Sequence, residues 1–266
     1  MTGFASDWLA LREPYDMRSR NADVRDAVTV RFAGRESISV VDLACGRGST
    51  LRAVTAHLPG RQQWRLIDHD AALLAEAAAM TVPPGIAIAA TPLDLASNLS
   101  AAFDGKPDLV TASALLDLVS VNWIEHLAGL AAANGAAVYV ALSYDGRVSI
   151  APSDADDAAI IAAVNVHQHG DKGFGPALGP SAAAFALTMF KSKDFDVVDG
   201  LSDWVLGPDD RALQAAMFDG WASAARETGA LPAARIEQWL TTRRRILEAG
   251  GSSLRVGHVD FFARPR

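Results

Sequence analysis

The chain has a single cysteine, Cys45. No disulfide can form within it, and no cysteine-rich metal site is available. Long apolar runs are also missing: the longest, such as residues 136–142, stay under ten residues, whereas a membrane-spanning helix needs about twenty. Residues 1–12 carry no apolar stretch of the kind a secretory leader needs. The expectation is a reducing, cytoplasmic setting with no membrane partner. Positive charge is in deficit, the formal net charge being −7. Nucleic acid attracts basic surfaces, so no nucleic-acid partner is expected.

The 266 residues are 50% apolar and only 21% charged, enough apolar surface for a packed core and too little charge for disorder. Residues 8–20 read as an amphipathic leader, followed by a helix that Asn21 or Asp23 can cap and Gly34 can end. Strands and helices then alternate. Residues 38–43 are a short β-branched apolar run that enters Ala44-Cys45-Gly46-Arg47-Gly48. Further strands are expected at 64–67, 86–90, 109–112 and 136–142, with helices at 49–58, 70–80 (capped by Asp70) and 122–133 between them. Such alternation with short connections predicts a parallel sheet covered on both faces.

After residue 142 the pattern changes. Residues 145–179 are rich in Gly, Asp, Pro and His, show clear periodicity only at 158–164, and read as a lid segment whose 165–176 stretch is a lid or substrate loop. A helix at 181–191, a strand at 195–201, two amphipathic helices within 208–250 and a last strand at 254–263 follow. Trp221 and Trp239 read as core residues of those two helices, and Arg243-Arg244-Arg245 as a solvated helix end. The helical insertion can cap a cleft or mediate dimerisation, which leaves a homodimer open.

The glycine loop carries the most information. Glycines at a strand-to-helix turn let backbone amides approach a ligand closely. Asp68, at the end of the second strand and 22 residues after Gly46, is placed to accept both hydroxyls of a ribose. NAD and S-adenosylmethionine both satisfy these features. A dinucleotide loop carries a third glycine, however, and here Leu51 stands in that place. Asp42, four residues before Gly46, would repel pyrophosphate and suits a cationic sulfonium.

On these residues the chain resembles the class I S-adenosylmethionine-dependent methyltransferases. Their first motif is an acid followed by a Gly-x-Gly turn, usually with a further glycine where this chain has Ala44. Leu93-Asp94-Leu95 resembles the segment that meets adenine, and Asp108 to Ser113 the fourth-strand motif beneath the donated methyl group. The similarity covers about residues 36–145. It implies a Rossmann-like α/β fold: a doubly wound, mostly parallel mixed sheet of seven strands, the last antiparallel, with a leader (1–35) and helical additions over the cleft. It further implies that S-adenosylmethionine is the cofactor, held by Asp42, Ala44, Cys45, Gly46, Gly48, Asp68, Asp94, Leu95 and Ser113, with His69 nearby.

The acceptor should lie beyond the carboxyl ends of the fourth and fifth strands, where Asp117 and Tyr144 sit, and under the segment holding His167, His169, Lys172 and Phe174. A histidine titrating near neutrality can take a proton from an acceptor, and His167 is the candidate base. A metal site from His167, His169 and Asp171 lacks a clear further ligand, and none is expected. His258 lies in an apolar strand and reads as a satisfied core residue, while Arg12 and Tyr15 come near the ligand if the leader folds over it. The fourth strand has no Asn/Asp-Pro-Pro-aromatic sequence, which points to a small-molecule acceptor methylated on O, C or N. Two alternatives stay open: a non-catalytic S-adenosylmethionine-binding partner or sensor, and an NAD(P)-dependent oxidoreductase.

Overall fold

The computed structural model describes residues 6–266; the first five residues of the expected leader lie outside the described residues. Two helices, α1 (Ser6–Ser19) and α2 (Ala22–Phe32), precede the sheet, and the Asn21 side chain caps α2 by accepting the Val24 amide. The alternating part follows in order: β1 (Ser37–Leu43), α3 (Ser49–Val54), β2 (Arg61–Asp68), α4 (Ala71–Ala78), β3 (Ile86–Pro92), β4 (Leu109–Ser113), α5 (Val121–Asn134) and β5 (Ala137–Ala151). Local chemistry sets the helix ends. Asp70 accepts the Ala72 and Leu73 amides at the start of α4, Ser120 caps α5, and Gly135 takes the left-handed conformation that stops it.

The remaining elements are α6 (Asp157–Gln168), α7 (Ala182–Ser192), β6 (Phe195–Leu201), β7 (Trp204–Leu206), α8 (Arg211–Thr228), α9 (Ala233–Glu248) and β8 (Ser253–Pro265). The sheet order is β3-β2-β1-β4-β5-β8-β6, with β7 beside β8. β1 to β5 pair in parallel, and β8 is antiparallel to β5, β6 and β7. The chain winds outward from β1 to β3, then returns to place β4 on the other side of β1. That reversal opens a crevice above the carboxyl ends of β1 and β4, where ligands bind in such sheets.

Both faces of the sheet are covered. Val41, Leu43, Val110 and Phe261 pack under α5 and α7 on one side, while Val40, Trp64, Tyr139 and Phe262 pack with α2, α3 and α4 on the other. This is why Val40 and Val41 are both buried and the strand reads as a continuous apolar run. A third cluster sits above the sheet. β5 and β8 continue together past two register shifts, at Val140/Ser143 and Tyr144/Val148, and carry Tyr144 and Val256 into a core with Ile160, Trp204, Phe218 and Trp239.

Three sequence expectations are corrected here. The sheet has eight strands rather than seven; the extra one, β7, has only three residues, too few for a hydrophobic pattern to show. Residues 145–179 are not one long loop, since β5 runs to Ala151 and α6 occupies Asp157–Gln168. Ile160, Ala163 and Val164 are the buried residues of α6, within the 158–164 stretch whose periodicity stands out from the surrounding Gly, Asp and His. Arg243 is no solvated helix end. Its side chain is fully buried, ion-paired with Asp157, and donates to the Pro152 carbonyl at 2.7 Å. Among the described residues no helix is long and apolar enough to cross a membrane.

Candidate active site

A cavity of about 850 Å³ lies over the carboxyl ends of the strands and beneath side chains of α1, α6 and α8. The turn after β1 forms one end. Gly46 (φ +51°) and Gly48 (φ +77°) both hold left-handed backbone. The Gly46 amide donates to Oδ2 of Asp68 at 2.8 Å, and the Asp70 amide donates to Oδ1 at 2.9 Å. The two amides fix the Asp68 carboxylate at the end of β2, against the glycine turn. His69 stands beside it, Nδ1 at 3.4 Å from Oδ1. Ala44, Cys45, Gly46, Asp68 and His69 all line this end. Burial and the nearby Asp42 and Asp68 push the Cys45 thiol well above its ordinary range, which disfavours the thiolate a nucleophile needs.

Three central strands take the same unusual backbone turn at the cavity, two at their ends and one within its length. Ala44 after β1 (φ +50°), Ala114 after β4 (φ +49°) and Leu142 in β5 (φ +58°) all take left-handed backbone, and all line the cavity. That conformation costs a residue with a Cβ about 1–2 kcal/mol. Such strain persists where surrounding bonds enforce it: the Ala114 amide donates to the Ala141 carbonyl, and the Leu142 amide to Oδ1 of Asp260 at 2.7 Å.

Below the turn runs a buried polar network. Asp42 is completely buried; its Oδ1 accepts the Thr111 hydroxyl at 2.7 Å and its Oδ2 has no partner. Burial pushes its carboxyl up to about 7, although Thr111, Arg20 and Thr50 oppose the rise. Arg20, also buried, donates to Ser113 Oγ at 2.9 Å and to the Tyr139 hydroxyl at 3.3 Å. Thr50 donates to Ser113 as well, at 3.1 Å. Ser113 therefore links the network to the cavity that it lines.

The distal end collects Asp117, Tyr144, Lys172, Phe174 and His167. Asp117 is buried with Oδ1 unpartnered, and burial pushes its carboxyl up to about 6. The Tyr144 hydroxyl donates to Asn165 Oδ1 at 2.7 Å, and Phe174 meets Trp123 edge-on. His167 is held at both ring nitrogens, Nε2 at 3.0 Å from Glu227 and Nδ1 at 3.5 Å from the Lys172 ammonium.

Several sequence candidates stand apart from the cavity. Asp94 is exposed and accepts the Ala96 amide and the Ser97 hydroxyl, closing its own turn. Leu95 is buried in the core under β1 and β4. Asp42 and Gly48 lie behind the lining; a Cβ on Gly48 would meet Met80 Cε at 2.5 Å. His169 turns away to the Ala177 carbonyl, 3.2 Å from its Nδ1, and Asp171 accepts the Gly173 and Gly175 amides. Asp171 lines the cavity beside His167, and no group of three or more His, Cys, Asp or Glu placed to hold a metal ion is found among the described residues.

Sequence reasoning missed other lining residues. His258 is not a satisfied core residue: it faces the cavity, lies 4.9 Å from Trp204 between ring centroids, and has Nδ1 without a partner. Burial and the Arg12 charge push its imidazole down to about 3, so it is neutral. Trp221 lines the cavity, whereas Trp239 is core and donates to Asp157 at 2.8 Å. Arg12, which the sequence reading placed near the ligand, lies over the Trp204 ring and lines the cavity, while the Tyr15 hydroxyl is spent on Asp210 at 3.0 Å. The alternation of β8 puts His258 and Asp260 on one face, and that period was the available signal for a polar face.

No family model matches the chain, and no curated protein matches it. Among solved structures, it is similar to a cyclopropane synthase from Mycobacterium tuberculosis: TM-score 0.51 and 11% identity, over 98% of this chain and 94% of that one. It is also similar to a cyclopropane-fatty-acyl-phospholipid synthase-like protein from Lactobacillus casei: TM-score 0.52 and 14% identity, over 94% of this chain and 98% of that one. At such identities the likeness is one of fold, and it matches the Rossmann-like mixed sheet expected from the sequence.

Proposed function

We propose that this chain binds S-adenosylmethionine in the proximal half of the cavity and transfers its methyl group to a small molecule in the distal half. The observation that carries this reading is the Asp68 carboxylate, fixed by the Gly46 and Asp70 amides where one continuous cavity begins. The fit is supported by charge: around the cavity, carboxylates outnumber Arg and Lys six to three. A cation is favoured there over a pyrophosphate, which argues against a dinucleotide. The class I methyltransferase resemblance and the fold of the similar structures agree with it.

Asp68 would accept the ribose hydroxyls, and the turn from Ala44 to Gly46 would bring its backbone against the ligand. Asp42, sealed below with its carboxyl pushed up to about 7 by burial, would support that turn through Thr111 rather than touch the ligand. When bound, the sulfonium supplies an electrophilic methyl group. The chain then has to orient an acceptor in line and exclude water, a task that would fall to the cover from α1, α6 and α8. Of the distal titratable groups, Asp117 has an oxygen free to hold a proton, whereas both nitrogens of His167 are engaged. The cavity volume lies toward the upper part of the ~300–1,000 Å³ span of small-molecule sites, consistent with two ligands.

Calorimetric titration with S-adenosylhomocysteine tests the reading, with NAD as the control. Binding of the former alone is expected; a response to NAD alone would transfer the chain to the oxidoreductases. Binding of S-adenosylhomocysteine without product over a broad acceptor screen would favour a sensor.

A further inference from the structure

The distal end of the cavity keeps two cations whose donors the protein leaves open. Of the three bases that line the cavity, Arg47 is taken by Glu76 at 2.7 Å. Arg12 gives only its Nε to Asp16, at 2.8 Å, and its guanidinium carbon lies 5.5 Å from the centre of the Trp204 ring. Neither Nη1 nor Nη2 of Arg12 has a partner among the described residues, and neither is sealed from solvent. Lys172 pairs with no carboxylate among the described residues; its Nζ lies 3.5 Å from Nδ1 of His167. A lysine only donates. Nδ1 of His167 therefore accepts, and Nε2 carries the proton that goes to Glu227, 3.0 Å away. Glu227 and His167 thus steady the ammonium at the cavity wall.

Both charges stand around one group. Each acts on the buried Asp117, holding its carboxyl down against the rise that burial causes. Lys172 is brought there by its loop: the Leu178 amide donates to the Val119 carbonyl at 2.9 Å, and Phe174 meets Trp123 with ring centroids 5.8 Å apart. Arg12 comes from the other side through Trp204, whose ring centroid is 4.9 Å from that of His258, itself 6.2 Å from Tyr144. Acids outnumber bases over the whole cavity, yet at this end they are engaged. Asp16 holds Arg12 and the Trp204 indole, Asp171 holds two loop amides, and Asp117 is buried. The open hydrogen-bonding groups are donors on two cations, and a carboxylate matches them because it accepts from a guanidinium fork and from an ammonium alike. The rest of this end is apolar, with Trp8, Trp221, Phe174 and Met217.

We propose that the distal half of the cavity binds an organic acid, its carboxylate held between the Arg12 guanidinium and the Lys172 ammonium and its apolar body lying against the aromatic wall. This rests on the cofactor reading above, which makes that acid the methyl acceptor.

The probe is 2-naphthoate, and its control is 2-naphthamide, which keeps the shape and loses the charge. Each is titrated calorimetrically into the full chain at neutral pH, with and without saturating S-adenosylhomocysteine. The acid should bind about tenfold or more tightly than the amide, as expected for charge-assisted hydrogen bonds shielded from water. Arg12→Met and Lys172→Met should each remove most of that preference. Lys193→Met, which deletes an exposed charge away from the cavity, should leave it intact. Equal affinity for the two compounds in the unaltered chain overturns the site, as does a preference that survives either cavity substitution. The comparison of the two ligands decides the matter even if Arg12→Met does not fold. Failure of S-adenosylhomocysteine to bind would strike the cofactor reading, while its binding alongside indifference to the carboxylate would strike the acid site alone.

Discussion

The backbone amide of Gly46 and Oδ2 of Asp68 lie 2.8 Å apart, joining the turn after β1 to the end of β2. One bond thus ties the glycine loop to the acid that would read a ribose. Removing it should act on both. Asp68→Ala is expected to weaken S-adenosylhomocysteine binding about tenfold or more, in keeping with roughly 1.5–3 kcal/mol for a charge-assisted bond. Calorimetry checks this, and an unchanged affinity counts against the assignment.

Asp42 makes stability depend on pH. Its folded pKa is raised from 3.8 to about 7 by burial, so the folded state disfavours the charged form. The cost is absent below the unfolded value, grows as pH rises, and levels off above about 7. At about 1.4 kcal/mol per pKa unit it reaches a few kcal/mol. Asp42→Asn should therefore gain stability relative to the unaltered chain between pH 5 and pH 8. Urea unfolding at the two pH values measures it; a difference that does not move with pH would contradict the buried carboxyl.

Arg243 is a buried charge held by Asp157 and the Pro152 carbonyl. It braces α9 against the start of α6, where Trp239 shares the same carboxylate. Arg243→Met leaves Asp157 with less compensation and is expected to lose about 3–5 kcal/mol. Chemical denaturation should show it, and a loss below about 1 kcal/mol would mean the pair is solvated.

Gly48 precedes α3 at φ +77°. Gly48→Ala should cost about 1–2 kcal/mol from backbone strain alone. Adding Met80→Ala removes the atom its Cβ would meet at 2.5 Å, yet should not restore stability. Full recovery in the double variant would show that crowding, not the dihedral, demands glycine there.

The alternating half of the fold was legible because its signals are local. Asn21, Asp70, Ser120 and Gly135 act on backbone groups within a few residues. The runs of β1 and β5 are apolar on both faces because helices cover both. The glycine turn and Asp68 were legible for the same reason, each ending a strand that periodicity could find. β7 and the extension of β5 were not, since their partners come from β8, far along the chain.

What the sequence settled alone was the alternation of strands and helices from the first strand to the fifth, the turn after the first strand and the acid after the second, because propensity, capping and period are encoded within short windows. Only the tertiary structure decided the rest. Asp94 closes its own turn rather than facing the cavity, Arg243 is buried against Asp157, and His258 is brought opposite Tyr144 to stand with Asp117. The reason is physical: burial and the field around a charge depend on residues brought together from distant parts of the chain, and no local window contains them.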